Sequence, residues 1–470
     1  MRSRTRGPGF AGAHGPRCFA LALGGALLAA SGAPAEDVQP RALPDRLDDV
    51  PATRPDPFPA FGNFAWRVFI ALAWPARSGP DHRGEPDRSK RLGAPGPRVW
   101  ETFKSRYELF QRDADGRAAR PAPWASYDGA NPCGAEADKQ AKTVGSFTAF
   151  AEFNQPSFTP GRFEGPLVAR NRTYTRYEVR YNAAAFESIV DHGWYLRDRL
   201  PTPEAPGQFG LGSIAVKAAW RILTDADTPA IRARFYVVRD AMVTDVAGSL
   251  DAGRVVCAQR DIALVGLHIA VKTRYRPQWI WSSFEHVDNV PPVGAGAARE
   301  PDARSRSAPY SYNDPAGASP LLPPSPEAVA PRPVSSADPP ARDPEPVQVA
   351  RLHPINPELM ALNRAYWSLP ALRDTVWANY MMVATQWPTV TQPIGPDNDG
   401  RFFPGLPVEP NSPVEPYQIV GGAAPAEWNL ANTTMETYAQ SAPASCMACH
   451  HVVANARGRD FSAVMEGDAN

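Results

Sequence analysis

Between residues 144 and 290 the sequence alternates apolar with polar side chains, and this alternation constrains the fold more than any other feature. A period of two places successive side chains on opposite faces, as in a β-strand. The runs are rich in β-branched and aromatic residues, which strands favour. The predicted strands are residues 173–181, 214–222, 234–243, 255–271 and 278–284.

Only one short helix, Asn182 to His192, is predicted between these strands. Parallel strands need a crossover connection of a dozen or more residues, usually a helix, and such helices are missing from the pattern. The sequence therefore predicts an α+β fold whose β-rich, mostly antiparallel part comes first along the chain.

Helical spacing dominates the two ends of the mature chain. Residues 61–74 repeat apolar side chains at helical intervals until Pro75, and Trp66 and Trp74 beside them are expected to pack in a core rather than line a cofactor pocket. Residues 98–110 predict a short helical segment. Residues 357–386 predict two helices, the second starting at Pro370, and residues 430–440 a further short one.

The first 35 residues have the pattern of a secretory signal peptide. Four Arg precede an apolar run at 19–30, and Ala33-Pro34-Ala35 gives a small-x-small cleavage site before Glu36. We therefore expect an exported, periplasmic protein. The predicted organisation is a signal peptide at 1–35, a β-rich α+β domain at 36–290, a linker or disordered excursion at 291–350, and a helical C-terminal region at 351–470.

The predicted linker is defined by its proline content. Residues 291–350 hold 15 Pro in 60 residues, against 38 in the other 410. Ala, Ser and charged residues fill most of the remainder, and a periodic apolar pattern is nearly absent. Such a composition buries too little apolar surface to fold alone, so the segment is predicted to be dispensable for haem binding and for cooperative folding.

The pattern C-x-x-C-H occurs at Cys446, Cys449 and His450. It is the attachment motif of a c-type haem, in which two thiols form thioethers with the vinyl groups and the histidine ligates the iron. A structural zinc site would need a second pair of ligands, and no second Cys pair is present. A thioredoxin-like pair would follow a strand in a βαβ unit, which the preceding sequence lacks. The motif therefore predicts one covalent haem c.

Two further cysteines remain after cleavage of the signal peptide, Cys133 and Cys257. An even pair in an oxidising compartment predicts a disulfide, with two separately buried thiols as the alternative.

The charge balance excludes one class of function. Loss of four Arg with the signal peptide leaves the mature chain near −4, which offers no basic surface for nucleic acid. No apolar run after the signal is long enough to span a bilayer, so no transmembrane segment is expected.

Several other residues could carry chemistry. His268 lies in an apolar run, His286 lies between Glu285 and Asp288, and His192 follows Asp191. A histidine beside a carboxylate can act as a base or a metal ligand, but a hydrogen-bonded structural role is the expected one for each. Residues 272–276 could form a cationic patch for an anionic ligand or a haem propionate, with a solvated strand end as the expected alternative.

The motif resembles that of c-type cytochromes, and the wider chain resembles a family of exported bacterial proteins described as cytochrome c family proteins. The resemblance spans most of the mature chain. The matching blocks are NFAWRVFIALAWPA at 63–76, GPRVWETFK at 96–104, GSIAVKAAWR at 212–221, GLHIAVKTRYRPQWIWSSFEHVDNVP at 266–291 and NTTMETYAQSAPASCMACH at 432–450.

The position of the motif departs from the common cytochrome c domain, in which the motif comes first and a methionine ligand follows far downstream. Only 20 residues follow His450 here, a layout more similar to the helical-bundle cytochromes. The second axial ligand is therefore not carried over from the resemblance. Its candidates are Met435, Met465, Met381, Met382 and His353, and each methionine has an alternative role as a core residue. Two further alternatives are an unligated position and the adjacent His451, which would point away from the same iron.

Together these features predict a periplasmic mono-haem cytochrome that exchanges single electrons with a redox partner protein. A carrier domain needs only about 100 residues, so the large β-rich part leaves two alternatives. One is an oxidoreductase whose β-rich part binds a small substrate. The other is a haem-based sensor of gas or redox state.

Overall fold

The structure is a computed structural model in which scattered segments of the chain can be described, all within one compact unit spanning residues 33–470. The described residues are 57–127, 143–145, 167–247, 254–273, 276, 278–292, 309–314, 346–352, 354–387, 431–437, 440, 446, 450, 458–460 and 462.

Helices are few and strands numerous in the described residues. The helices are α1 (Pro57–Ala73), α2 (Arg106–Leu109), α3 (Ala183–Asp191), α4 (Pro229–Arg232), α5 (Pro357–Ser368) and α6 (Pro370–Arg373). The strands are β1 (Lys104–Ser105), β2 (Gln111–Arg112), β3 (Ala118–Ala119), β4 (Thr143–Gly145), β5 (Arg176–Tyr181), β6 (Ile214–Ile222), β7 (Val237–Ala247), β8 (Arg254–Val271), β9 (Ile280–His286) and β10 (Tyr380–Gln386).

Eight of these strands form one sheet. Its main path runs β1-β5-β6-β8-β7-β4, and β9 pairs with β8 and with β10. Among the described ladders only β4 with β7 is parallel. The prediction of a β-rich, mostly antiparallel part is therefore confirmed. β8 organises the sheet because its 18 residues are long enough to pair with β6, β7 and β9.

The predicted helical character of the C-terminal region is only partly correct. A helix begins at Pro357 as expected, but the one starting at Pro370 lasts a single turn. Residues Tyr380–Gln386 form strand β10, antiparallel to β9, with a register shift at Val383. A short apolar run fits either a helix or a buried strand, and here pairing with a distant strand decides between them.

Two shorter helix predictions are also wrong. Residues 98–110 divide into a 3₁₀ turn at Val99–Thr102, strand β1 and the single turn of α2. The described residues 431–437 form turns instead of a helix. In residues 431–437, hydrogen bonds to the sheet replace the backbone hydrogen bonds of a helix.

One face of the sheet packs against α1 and α5. Trp66 of α1 is fully buried, stacks on Tyr366 at 4.8 Å between ring centroids, and donates from Nε1 to Asn363 Oδ1 at 3.1 Å. Gly62 allows the two helices to approach, because an added Cβ would lie 2.6 Å from Leu362 Cδ2. These contacts show that the aromatic side chains of α1 form a core, as the sequence predicted.

Part of the Pro-rich segment belongs to a second core, which corrects the expectation that all of it is a linker or disordered excursion. Tyr312, Val347 and Val349 are buried there together with Met435. Tyr312 Oη lies 2.9 Å from Thr175 Oγ1, and Val349 N donates to Tyr312 O at 2.9 Å. In the central and final parts of the Pro-rich segment, the structure describes residues 309–314 and 346–350. This correction therefore does not extend to residues 315–345.

Within the described ranges, no helix combines the length and the apolar character needed to cross a bilayer.

Candidate functional site

The motif and its flanking segments contact one face of strands β8 and β9. We call this face the motif face, and it is opposite to the one that packs on α1 and α5. Cross-strand partners share a face, and residues two apart on a strand do too. Its residues, in matched pairs along the two strands, are Gly266 with Glu285, His268 with Ser283, and Ala270 with Trp281.

Residues 432–434 dock at the first pair of the motif face. Thr433 donates from its backbone N and from Oγ1 to the Glu285 carboxylate, both at 2.9 Å. Asn432 Nδ2 donates to Ser283 Oγ and to Phe284 O, both at 3.0 Å. These bonds hold the segment that leads into the motif against β9.

Gly266 makes this docking possible. A Cβ at this position would lie 2.2 Å from Thr434 Oγ1, a separation that real side chains do not adopt. On β5, which is separated from β8 by β6, Tyr177 Oη donates to Thr434 O at 2.7 Å. The segment therefore lies directly on the backbone of β8.

Glu285 is fully buried and forms an ion pair with Arg351. Burial lowers the pKa of the Arg351 guanidinium to about 10, which still leaves it charged at neutral pH. A buried carboxylate that receives two hydrogen bonds and an ion pair has a structural role, because its charge is already compensated. Glu285 thus joins the residues around 351 and 433 to the sheet.

Within the motif, Cys446 and His450 are described, both with helical backbone and both half-buried. The His450 ring lies against Trp281, with 4.4 Å between ring centroids. Cys446 packs against a group of buried side chains that we call the aromatic cluster. Cys449 lies outside the described residues. The aromatic cluster comprises Leu109, Tyr181, Ala185, Phe186, Ile189, Trp194, Phe209, Ala270, Trp279 and Trp281.

The chain is anchored again after the motif. Asp460 is buried and accepts two hydrogen bonds from Lys272 Nζ at 2.9 and 3.0 Å and one from Phe209 N at 2.8 Å. Trp279 Nε1 donates to Asp460 O at 3.0 Å. Burial raises the pKa of the Asp460 carboxyl, and the charge of Lys272 opposes that rise.

Trp279 adopts φ of 72°, in the left-handed region that a bulky residue rarely enters. It precedes β9 and its ring belongs to the aromatic cluster, where it lies edge-on to Phe209 at 5.7 Å. The bond to Asp460 and this packing are the contacts that compensate the strained backbone.

The cationic run at 272–276 is not the solvated strand end that was expected. Lys272 and Arg276 are both buried. Lys272 pairs with Asp460, and the Arg276 guanidinium lies 5.1 Å from the centroid of Phe61. Arg274 and Tyr275 lie outside the described residues.

Two of the three candidate histidines have structural roles. His286 is fully buried, its Nε2 lies 3.1 Å from Arg234 O, and its Nδ1 accepts from Asp288 N at 3.1 Å. Burial lowers the pKa of His286 to about 4, so it is neutral at physiological pH. His192 caps the end of α3 through Nδ1 and Ser188 O, 2.8 Å apart, and stacks on Trp194.

His268 is different because it lies on the motif face. Its side chain is 23% exposed, and Nε2 is 3.4 Å from Glu436 Oε2. That contact has ion-pair distance but lacks hydrogen-bond geometry, so the buried Nε2 atom has no hydrogen-bond partner among the described residues. Glu436 belongs to the segment that docks on Gly266.

Among the described methionine candidates, Met435 reaches the motif face, with its Cε 3.3 Å from the position that a Cβ at Gly266 would take. Met381 and Met382 belong to the core beneath α1 and α5, and Met435 belongs to the second core. All three are buried, which matches their alternative role as core residues. Met465, His353 and His451 lie outside the described residues.

Cys257 is disulfide-bonded in the structure. Cys133 lies outside the described residues, so the pairing of these two cysteines stays a prediction.

A second group of charged side chains lies around α2 and has compensated charges. Arg83 and Lys104 approach Glu108 Oε1 at 2.6 and 3.5 Å. Burial alone would raise the pKa of Glu108, but the charges of Arg83 and Lys104 outweigh it and hold the pKa below its ordinary value. Because each charge meets an opposite one, this group stabilises the fold and is not a candidate site.

The residues around the motif suit a haem. Cys446 packs against aromatic and aliphatic side chains, and the His450 ring lies against Trp281, so one side of the motif has the apolar lining that a haem requires. In the described part of the chain, no group of three or more His, Cys, Asp and Glu forms a site for a bare metal ion.

Comparison with known proteins gives no match: no protein family, curated protein or solved structure is similar to this chain at a significant level.

Proposed function

We propose that this chain is an exported mono-haem c-type cytochrome that transfers single electrons to or from a redox partner protein. The observation that carries the proposal is the C-x-x-C-H motif of Cys446, Cys449 and His450. The signal-like first 35 residues agree with it, because haem is attached to such motifs outside the cytoplasm.

Cys446 and Cys449 would hold the haem covalently, and His450 would supply the proximal ligand. When bound, the group supplies an iron centre that changes its charge by one electron. The residues of this chain bind and orient it. Trp281 restricts rotation of the His450 ring through their contact at 4.4 Å, and the aromatic cluster around Cys446 keeps water from one side of the motif.

The anchors on both sides of the motif support the same function. Residues 432–434 are bonded to Glu285 and Ser283, and Asp460 is bonded to Lys272 and Trp279. A rigid surrounding lowers the reorganisation that each electron transfer requires. A motif fixed at both ends to one sheet face is therefore suited to repeated electron exchange.

The test is expression of the full chain, with its signal sequence, together with a haem-attachment system. We expect a mass increase of one haem that survives denaturation and acid–organic extraction. Cys446→Ser or Cys449→Ser should abolish normal attachment, and His450→Ala should retain the covalent group while changing its spectrum.

A serine substitution of Cys257 provides the matched control, because it removes a disulfide-bonded cysteine outside the motif and should leave attachment intact. A wild-type protein with the mass of the bare polypeptide would refute the proposal. Rapid binding of carbon monoxide by the wild-type ferrous protein would instead favour an oxidoreductase or a sensor over an electron carrier.

A further inference from the structure

A continuous series of aromatic rings leads from the motif to the surface of the protein. We call it the ring path, and its members in order are His450, Trp281, Trp279, Phe209, Trp194 and His192. The distances between successive ring centroids are 4.4, 6.5, 5.7, 5.2 and 4.7 Å. Each of these spacings is that of two rings in contact. The imidazole of the motif is therefore joined to the far end of the path without a gap.

The inner rings of the path are held in place. Trp281 Nε1 donates to Gln278 O at 3.2 Å, and Trp279 Nε1 donates to Asp460 O at 3.0 Å. Both indoles are buried, as are the rings of Phe209 and Trp194. Electron tunnelling weakens less across packed atoms than across a gap, and an indole loses an electron more readily than most side chains. A fixed path with three tryptophans is therefore suited to passing electrons.

The outer end of the path reaches solvent beside an exposed apolar side chain. His192 is exposed, and its Nδ1 lies 2.8 Å from Ser188 O. Gly210 N donates to Ser188 Oγ at 2.9 Å, which brings the next residue, Leu211, to the same end of α3. Leu211 is 44% exposed, and no other large hydrophobic residue in the described ranges is exposed. Electron-transfer complexes bury small interfaces, so a patch of this size is sufficient for one.

We infer that the ring path carries electrons between the haem and the surface at His192, and that the redox partner protein docks there, over His192 and Leu211. This inference rests on the proposed function and adds to it the surface that the partner uses. One electron passes from the ferrous iron to an acceptor partner, which is reduced as the iron is oxidised. A donor partner reverses the direction. The step forms and breaks no bond and requires no proton.

The test uses the full-length holoprotein with a ruthenium polypyridyl complex attached to His192. A flash in the presence of an oxidative quencher produces Ru(III), which then takes an electron from the ferrous haem at a rate that transient absorption measures. Trp194→Leu should slow this transfer roughly tenfold or more, because it removes one ring from the path. Trp194→Phe should also slow it, because a phenyl ring is harder to oxidise, and this variant decides the outcome if Trp194→Leu fails to fold. In the ferric holoprotein the same flash should produce a transient tryptophan radical, and Trp194→Leu should lower its yield.

Two controls separate the path from general packing. Phe186→Leu alters the same aromatic cluster, but the Phe186 ring contacts Trp124, which is not on the path, so the rate should change by less than about twofold. Ruthenium attached instead to His82, whose side chain is 35% exposed, should give a rate that does not respond to Trp194→Leu.

The docking surface is tested with a soluble blue copper protein as the electron acceptor. Leu211→Asp should lower the bimolecular rate constant roughly threefold or more and leave the transfer to ruthenium at His192 unchanged. An unchanged bimolecular rate constant would overturn the docking surface. Equal rates for wild type and Trp194→Leu, both labelled at His192, would overturn the ring path and leave the proposed function standing. Absence of covalent haem from wild type would overturn the proposed function itself.

Discussion

At the scale of single residues, a buried pair of opposite charges holds the segment after the motif, and the sequence pattern identified Lys272 as part of a possible cationic patch but not its partner Asp460. Lys272 and Asp460 are 188 residues apart, and both side chains are almost inaccessible to solvent. A buried pair contributes little net stability, but loss of one partner leaves an uncompensated charge. The pair therefore fixes the segment after the motif to the end of β8.

We predict that Asp460→Asn lowers the free energy of unfolding by about 3–5 kcal/mol, because it leaves the Lys272 ammonium buried without its counter-charge. The double variant Asp460→Asn with Lys272→Met should recover much of this loss. Urea unfolding, followed by tryptophan fluorescence, measures the free energy of unfolding of both variants. Equal stability of the single variant and wild type would show that the pair does not form.

His286 predicts a pH dependence of stability. Its pKa in the folded protein is about 4, against 6.5 for the free side chain, so the unfolded chain binds more protons between these values. Stability must therefore fall as the pH is lowered from about 6.5 to 4, by about 3 kcal/mol at most. The expected measurement is urea unfolding at a series of pH values. His286→Gln, which keeps an acceptor for Asp288 N, should flatten the profile across that window.

At the scale of elements, the sequence predicted the strands well where a local pattern determines them. The predicted strand at 214–222 is β6 itself, and the one at 255–271 differs from β8 by one residue. β10 was missed because Tyr380–Gln386 carries an apolar run that also fits a helix. The secondary structure of this run depends on pairing with β9, about 100 residues earlier in the chain. The local periodicity gives no information about that partner.

The turns at 431–437 were missed for a related reason. Asn432 and Thr433 bond to Ser283 and Glu285, and these contacts compete with a helical backbone. The motif itself was recognisable from sequence because its chemistry needs a fixed local spacing. The sheet face that receives it is set by long-range register, so the position of His268 on that face and the role of Asp460 emerged only from the structure.

Gly266 gives the element-scale prediction. Gly266→Ala would place a Cβ 2.2 Å from Thr434 Oγ1, and we expect a loss of about 1–3 kcal/mol as the docked segment is displaced. Hydrogen exchange should accelerate in residues 431–437. Gly210→Ala is the matched control, because its Cβ would lie 3.4 Å from Ser188 Oγ, an ordinary contact. Thr434→Ala in the Gly266→Ala background should relieve part of the loss. Wild-type exchange in Gly266→Ala would contradict the docking.

At the scale of the whole molecule, the sheet joins the parts of the chain on either side of the Pro-rich segment. β10 pairs with β9, and Arg351 is bonded to Glu285. The two ends of residues 315–345 are also close, because Asp314 N donates to Gln348 Oε1 at 2.8 Å and Val349 N donates to Tyr312 O. A segment whose flanking residues already meet can be shortened without moving those residues.

This arrangement predicts two different outcomes for two deletions. Replacing residues 316–344 with a short Gly/Ser linker should leave the free energy of unfolding within about 2 kcal/mol of wild type, because loop closure changes by only about 0.6 kcal/mol per doubling of length. Replacing residues 296–345 also removes Tyr312, which is fully buried in the second core beside Met435. Loss of a large buried aromatic side chain costs about 3–5 kcal/mol.

Tyr312→Phe separates the two contributions within the second core. It keeps the ring but removes the contact between Oη and Thr175 Oγ1, so we expect a loss of about 1 kcal/mol, well below that of the longer deletion. Urea unfolding of the two replacements and of Tyr312→Phe ranks the three variants by their free energy of unfolding. If the longer replacement is as stable as the shorter one, the buried stretch at 309–314 contributes nothing to the core. If the shorter replacement already destabilises the protein strongly, residues 316–344 take part in the fold, because loop closure alone accounts for too small a change.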